Sequence, residues 1–268
     1  MTCVAVLQMV SSANVKSNLS EVERYCIKAQ EAGAKLIVLP ENFAFMGMKE
    51  TDKLRIAETF GEGDIQTTLS QLAKRYGLWL VAGTIPVKHD KTHVKASCLV
   101  YDDKGLCVAR YDKIHLFDVR VSSQEAHQES FTINRGDDIV VVNTPVGRIG
   151  LSVCYDLRFP ELYRQLVLKG AEIFTIPSAF TAITGMAHWE ILLRARAIEN
   201  LCYVLAPNQG GVHESGRITY GHSMIVEPWG NVLAQQEADS GLVVADIDLK
   251  RLQQLRQQFP CNDHHVLY

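Results

Sequence analysis

No two cysteines in this 268-residue chain form a CxxC pair, and the seven present, at 3, 26, 98, 107, 154, 202 and 261, match no metal-ligand spacing. An odd count also argues against a closed disulfide framework, so reduced thiols and a cytosolic setting are expected. There is no run of basic residues: 27 Lys plus Arg face 30 Asp plus Glu, a formal charge of -3. Nucleic acid is therefore not an expected partner. No apolar stretch is long enough for a bilayer, so no membrane partner is expected. The opening MTCVAVLQMV has neither a basic leader nor a small-residue cleavage site and reads as a first strand. Linkers rich in Pro, Gly or Ser, charge blocks and short repeats are missing too, which predicts one domain over residues 1–268. What is present is 47% hydrophobic and 21% charged residues, enough for a substantial core.

Hydrophobic periodicity and turn residues predict strand 3–8, helix 15–32 ended by Gly33, strand 36–39, helix 65–76 ended by Gly77, and the apolar run LWLVAGT at 78–84. A hairpin follows, strands 96–101 and 106–111 about the turn DDKG. After an irregular segment 115–137 come strands 139–143 and 148–153, a helix to Lys169, strand 173–176, a helix over 187–200 and strand 203–206. Two strands flank the turn PWGN at 228–231, then strand 242–247 and helix 249–258 close the series. Strand-helix-strand steps interrupted by hairpins favour layered sheets with helices outside over one doubly wound sheet.

Three unlike reactive side chains each follow the end of an apolar strand: Glu41 in LIVLPE, Lys113 in VARYDK and Cys154 in GLSVC. Strand ends present side chains into clefts, so together the three predict a site. Singly, Glu41 reads as a loop carboxylate, Lys113 as a solvated cation and Cys154 as core filler. Together they offer a general base and acid, an oxyanion-stabilising cation and a nucleophile, a complete acyl-transfer set without histidine or metal. Pro160 and Glu161 suit a first helical turn, and the nearby helix N-terminus is expected to lower the Cys154 thiol pKa.

The segments PENFAF (40–45), YDKIHL (111–116) and CYDLRFPE (154–161), continued by TGMAHWEILLRARAIEN and YGHSMIVEPWG, resemble the signature segments of the nitrilase superfamily of carbon-nitrogen hydrolases in order over nearly the whole chain. That resemblance implies an α/β fold, a four-layer α-β-β-α sandwich, a homodimer or higher homo-oligomer, no cofactor and no metal. It also implies a catalytic set of Glu41, Lys113 and Cys154 with Glu129 assisting; Glu125 is the second candidate for the assisting glutamate. The backbone N–H of Tyr155 is expected to share the oxyanion with Lys113. The implied reaction opens a small-molecule amide through a cysteine thioester, giving a carboxylic acid and ammonia. Within the superfamily, the stretch from PSAFTAITGMAHW to APNQGG is most similar to the branch acting on deaminated glutathione, with the ω-amidase branch, acting on 2-oxoglutaramate and succinamate, next. Those substrates carry a carboxylate, for which Arg158 is the natural fork, with Phe180 and Thr184 as pocket walls. Against this stand an ion pair of Arg158 with Glu161 or Asp156, and a core position for Phe180.

The stripe Ile191, Leu192, Ala195 and Ile198 is expected in the core, Arg194 and Arg196 in structural pairs, and His264 and His265 in solvent. An exposed Trp229 would suit a subunit contact. Of the rival readings, a cysteine hydrolase with a histidine base lacks a convincing partner segment, a catalytically silent scaffold leaves the three reactive groups to chance, and a nitrile hydrolase would share every catalytic group.

Overall fold

The computed structural model describes residues 1–121, 123 and 125–266. Strand β1 (Thr2–Gln8) leads to helix α1 (Val15–Glu31), whose first turn is capped by the Asn14 side chain, 3.0 Å from the Ser17 N–H. After β2 (Leu36–Val38) come α2 (Asp64–Tyr76), β3 (Trp79–Lys88), β4 (Val94–Tyr101) and β5 (Cys107–Asp112). A small hairpin, β6 (Asp118–Arg120) and β7 (Ala126–Gln128), precedes β8 (Val141–Thr144), β9 (Gly147–Leu151), α3 (Pro160–Leu168) and β10 (Ile173–Thr175). Then follow α4 (Ala182–Asn200), β11 (Tyr203–Ala206), β12 (Gly210–Val212), β13 (Ile218–Tyr220), β14 (Ser223–Val226), β15 (Val232–Gln236), β16 (Gly241–Ile247) and α5 (Leu249–Gln258).

The strands build two six-stranded sheets, in the orders β16-β1-β2-β3-β4-β5 and β15-β14-β11-β10-β9-β8. Strand alternation assigns the layers. Ala5 and Leu7 of β1 and Ile37 of β2 pack under α1 and α2 with Val22, Tyr25 and Leu69. Their neighbours Val4, Val6 and Val38 turn to the opposite face and join Leu151, Ile173 and Val204 of the second sheet. The latter cluster also takes in Leu162 and Tyr163 of α3 and Trp189 and Leu193 of α4. The result is the four-layer α-β-β-α sandwich, sheets inside and helices outside.

The structure departs from the sequence reading in three places. The segment 115–137 is not wholly irregular: it holds the β6–β7 hairpin and a single tight turn at Glu129–Phe131. Helix α4 starts at Ala182 rather than 187, capped by Thr181. Gly185 lies inside α4, where Tyr220 packs on its bare Cα; a Cβ there would come within 2.3 Å of the tyrosine side chain. The stripe expected in the core of α4 is also displaced. Trp189, Leu193 and Ala197 are buried, whereas Ile191 is 70% exposed and Ile198 48% exposed. That helix carries apolar side chains on both faces, so periodicity alone could not choose between them.

The fold directs three strand ends to one place. Strands β2 and β3 are parallel, β4 and β5 each reverse direction, so β5 ends on the same side as β2. A register shift between Ala82 and Ile85 in β3 makes room there for the chain leaving β2. Gly83 lies in that shift, and a Cβ on it would sit 2.0 Å from the Pro40 carbonyl oxygen.

Candidate active site

Glu41 lies three residues past the end of β2 and is buried, and Lys113 follows β5 and is buried too. Their side chains meet: Lys113 Nζ donates to Glu41 Oε1 at 2.8 Å and to both oxygens of Glu129 at 3.0 and 2.8 Å. Each carboxylate has a further donor, the Ala179 N–H on Glu41 Oε2 at 3.0 Å and the Phe117 N–H on Glu129 Oε2 at 2.8 Å. Burial works against the Lys113 cation, yet Glu129 and Glu41 hold its pKa well above the ordinary lysine value. Burial likewise opposes the Glu129 charge, and Lys113, helped by Lys53, outweighs it and keeps the carboxyl below the usual glutamate value.

Backbone contacts fix Glu41 in place. Asn42, the next residue, takes a left-handed φ of 57° and donates its N–H to Thr84 Oγ1 at 3.0 Å, while the Glu41 carbonyl accepts from Gln209 Nε2 at 3.0 Å. Asn208 holds the other side, its Oδ1 accepting the Phe180 N–H at 3.0 Å next to the Ala179 amide that reaches Glu41.

Cys154 leaves β9 and opens a tight 3₁₀ turn, Cys154–Arg158, six residues before α3 begins at Pro160. Its φ of 47° is left-handed, a conformation that costs a non-glycine residue about 1–3 kcal/mol and persists only where surroundings impose it. The surroundings are visible. The Cys154 N–H donates to the Pro177 carbonyl at 2.9 Å, and Arg196 Nη2 holds the Leu157 carbonyl at 2.8 Å. The buried carboxylate of Asp156 accepts from the Val153 N–H at 2.8 Å, the Tyr111 hydroxyl at 2.7 Å and the His115 N–H at 3.0 Å. Tyr111 and His115 flank Lys113, so one aspartate ties the cysteine turn to the lysine loop.

The expectation of a lowered thiol pKa is overturned. The thiol sits in the tight turn, apart from the α3 N-terminus. Burial first, and Glu41 second, push the Cys154 thiol far above its ordinary value, and Lys113 only partly offsets them. Both effects favour the thiol over the thiolate, so attack calls for a base beside the sulfur.

A cavity of about 20 Å³ is lined by Glu41, Lys113, Glu129 and Cys154, with Tyr155, Arg158, Phe180 and Thr184 also on its walls. Every site residue expected from sequence thus faces one small space. Phe180 belongs at once to the core and to the wall. Arg158 makes neither of its expected ion pairs; it lies over the rings of Phe180 at 5.3 Å and Tyr155 at 5.8 Å and meets His188 Nδ1 at 3.2 Å. A larger cavity of about 580 Å³ shares Asn42 and Arg217 as walls with the small one. Glu125 lines that outer cavity, 2.9 Å from His127, and is not on the inner wall.

Sequence reasoning missed Asp156, Asn208, Gln209 and Arg217. Each of the first three has partners far along the chain, for which no local pattern exists. Arg217 lies in the turn of the β12–β13 hairpin, two short strands without an apolar run to reveal them. Among the described residues no group of three or more His, Cys, Asp or Glu could hold a metal ion, and His264 and His265 are exposed.

Removing the cation leaves two carboxylates facing each other. Lys113→Met is expected to cost about 3–5 kcal/mol of unfolding free energy near neutral pH. The deficit should shrink as the pH falls, because Glu129, without the cation that keeps its carboxyl below the usual glutamate value against the opposing effect of burial, can take up a proton in the folded state. Denaturant melts at several pH values check this, and a loss under 1 kcal/mol would contradict the ion cluster.

Residues 3–257 match the family model for carbon-nitrogen hydrolases. The deaminated glutathione amidase of Synechocystis is 44% identical over 98% of this chain and 97% of its own length. Among solved structures, the Caenorhabditis elegans NitFhit protein superposes with a TM-score of 0.92 at 38% identity over 98% of this chain, which spans 65% of that longer protein. Saccharomyces cerevisiae Nit3, described as a member of branch 10 of the nitrilase superfamily, has a TM-score of 0.87 at 30% identity and covers 97% of this chain and 94% of its own.

Proposed function

The chain belongs to the carbon-nitrogen hydrolase family, and from that premise we propose that it is an amidase that opens deaminated glutathione through a thioester on Cys154. The observation that carries the chemistry is the single buried cavity shared by a thiol and a carboxylate–ammonium–carboxylate cluster. The substrate rests on the relatives named deaminated glutathione amidase, 41–44% identical over 97–98% of this chain.

In this mechanism Glu41 removes the Cys154 proton as the sulfur attacks the amide carbon, and Lys113 with the Tyr155 N–H holds the developing oxyanion. The tetrahedral centre collapses, the C–N bond breaks, and Glu41 returns its proton to the departing nitrogen. Water, deprotonated by Glu41, then opens the thioester and frees the acid and the thiol. A primary amide releases ammonia, whereas deaminated glutathione, whose acyl group is joined to cysteinylglycine, releases that dipeptide. Glu129 keeps Lys113 aimed and charged. Arg158, held by ring faces instead of a carboxylate, is free to turn toward the carboxylate of the acyl part, beside Phe180 and Thr184. The ordering suits a site whose thiol is protonated at rest, because the base must act in the same step as the attack.

Two further properties belong to the same reading. The enzyme is cytosolic, consistent with seven unpaired cysteines; among the described residues no helix is long and apolar enough to cross a membrane. It is a homodimer joined through the exposed apolar side of α4, which carries Ile191 and Ile198; Ile198 lies against Gly230 in the β14–β15 turn beside Trp229, itself 55% exposed and in edge contact with Phe259.

Purified protein given deaminated glutathione should release cysteinylglycine and the 2-oxo diacid, with Cys154→Ala at least 10³-fold slower. Turnover that survives Cys154→Ala would contradict the mechanism; succinamate, 2-oxoglutaramate or a nitrile cleaved in preference would contradict the substrate. Sedimentation tests the assembly: Ile191→Glu with Trp229→Glu should yield a monomer, and an undisturbed dimer would place the contact elsewhere.

A further inference from the structure

The outer cavity of about 580 Å³ is a walled chamber, far larger than the space at Cys154, and lies within the range of small-molecule sites. Its charges do not balance. Lys53 is matched by Glu50 at 2.7 Å, and Glu125 stands against His127. Lys49, at the rim, and Arg217, at the seam with the inner cavity, have no carboxylate partner among the described residues. Arg217 is also incompletely bonded. Its Nη2 donates to the Ala179 carbonyl at 2.7 Å, while its Nε is buried without a partner among the described residues. A buried donor left unsatisfied costs free energy, which an incoming acceptor would recover.

Resting on the amidase reading above, we propose that this chamber is the subsite for the departing amine and that Arg217 reads a terminal carboxylate on it. On the substrate proposed above, that carboxylate is the glycine end of the departing dipeptide. The placement supports this. Arg217 lines both cavities, so its guanidinium borders the scissile bond on one side and the chamber on the other. The carboxylate of a dipeptide lies only a few bonds from the nitrogen that leaves, which matches a reader at the seam better than one at the rim. Apolar walls from Phe45, Met46, Ile85 and Ile133 suit the side chain of the first residue of that peptide. Arg158 and Arg217 then take the two carboxylates of a dianionic substrate from either side of the reacting carbon, and Lys49 adds a positive field at the entrance. Two fixed anion contacts would also set the amide carbon in register with the sulfur.

The test compares deaminated glutathione with its glycinamide counterpart, identical except that the terminal carboxylate is a carboxamide. The wild-type protein should show a KM about tenfold or more lower for the acid, at similar kcat, the scale of one charge-assisted hydrogen bond. Arg217→Met should bring the two KM values together, and Arg217→Lys should restore part of the gap. A general structural fault would alter both substrates alike and leave their ratio unchanged. Equal KM values for acid and amide in the wild type would overturn the chamber assignment while leaving the amidase standing; a gap that persists in Arg217→Met would overturn the role of Arg217. Turnover of succinamate with neither deaminated compound cleaved would instead overturn the substrate reading from which the assignment starts.

Discussion

One buried ammonium between two carboxylates organises this molecule. Lys113 has no solvent to fall back on, so it draws its counter-charge from Glu41 and Glu129, and each carboxylate in turn has a backbone donor. Those requirements run outward into the scaffold. Glu41 must leave β2 at the height where β3 shifts register, Lys113 must leave β5 on the same side, and the Phe117 amide must return toward Glu129. A site built this way is preorganised by the cost of its alternatives: with the lysine withdrawn, two carboxylates are left buried without a counter-charge.

The second organising contact is Asp156. It has no place in the reaction, yet it accepts hydrogen bonds from Val153 on one side of the nucleophile and from Tyr111 and His115 on either side of the lysine. It thereby couples the cysteine turn of one sheet to the lysine loop of the other. The left-handed φ at Cys154 is the visible strain of that arrangement, and the hold of Arg196 on the Leu157 carbonyl keeps the turn from relaxing. Rigid sheets supply position and the polar cross-ties supply orientation, which is what an attack geometry demands.

The same division explains what could be read from the sequence. Apolar strands ending in Glu41, Lys113 and Cys154 are a local signal, and layered sheets with helices outside followed from strand-helix order, whereas the four-layer sandwich came with the family resemblance. Family resemblance added Glu129, which sits after a hairpin too short to show periodicity. Asp156 was visible in the CYDLR motif only as a possible partner of Arg158, because its true partners lie some forty positions upstream. Arg217 was hidden for the same reason, its meaning residing in two cavities made by distant loops. The ionisation of Cys154 was misjudged because a helix start was inferred from Pro160, whereas the sulfur precedes that helix by a whole tight turn and is surrounded by core and by Glu41. On α4, apolar residues on both faces concealed which side the sheet would claim.

The central claim is that the nucleophile rests as a thiol and is deprotonated only in the act of attack, by a carboxylate that the ion cluster holds beside it. Ultraviolet thiolate absorbance, taken as the difference between the wild-type protein and Cys154→Ala across a pH titration, addresses it directly. The account predicts no thiolate signal from Cys154 at neutral pH and none at the pH where an ordinary cysteine ionises. A Cys154 thiolate already populated at neutral pH would contradict it.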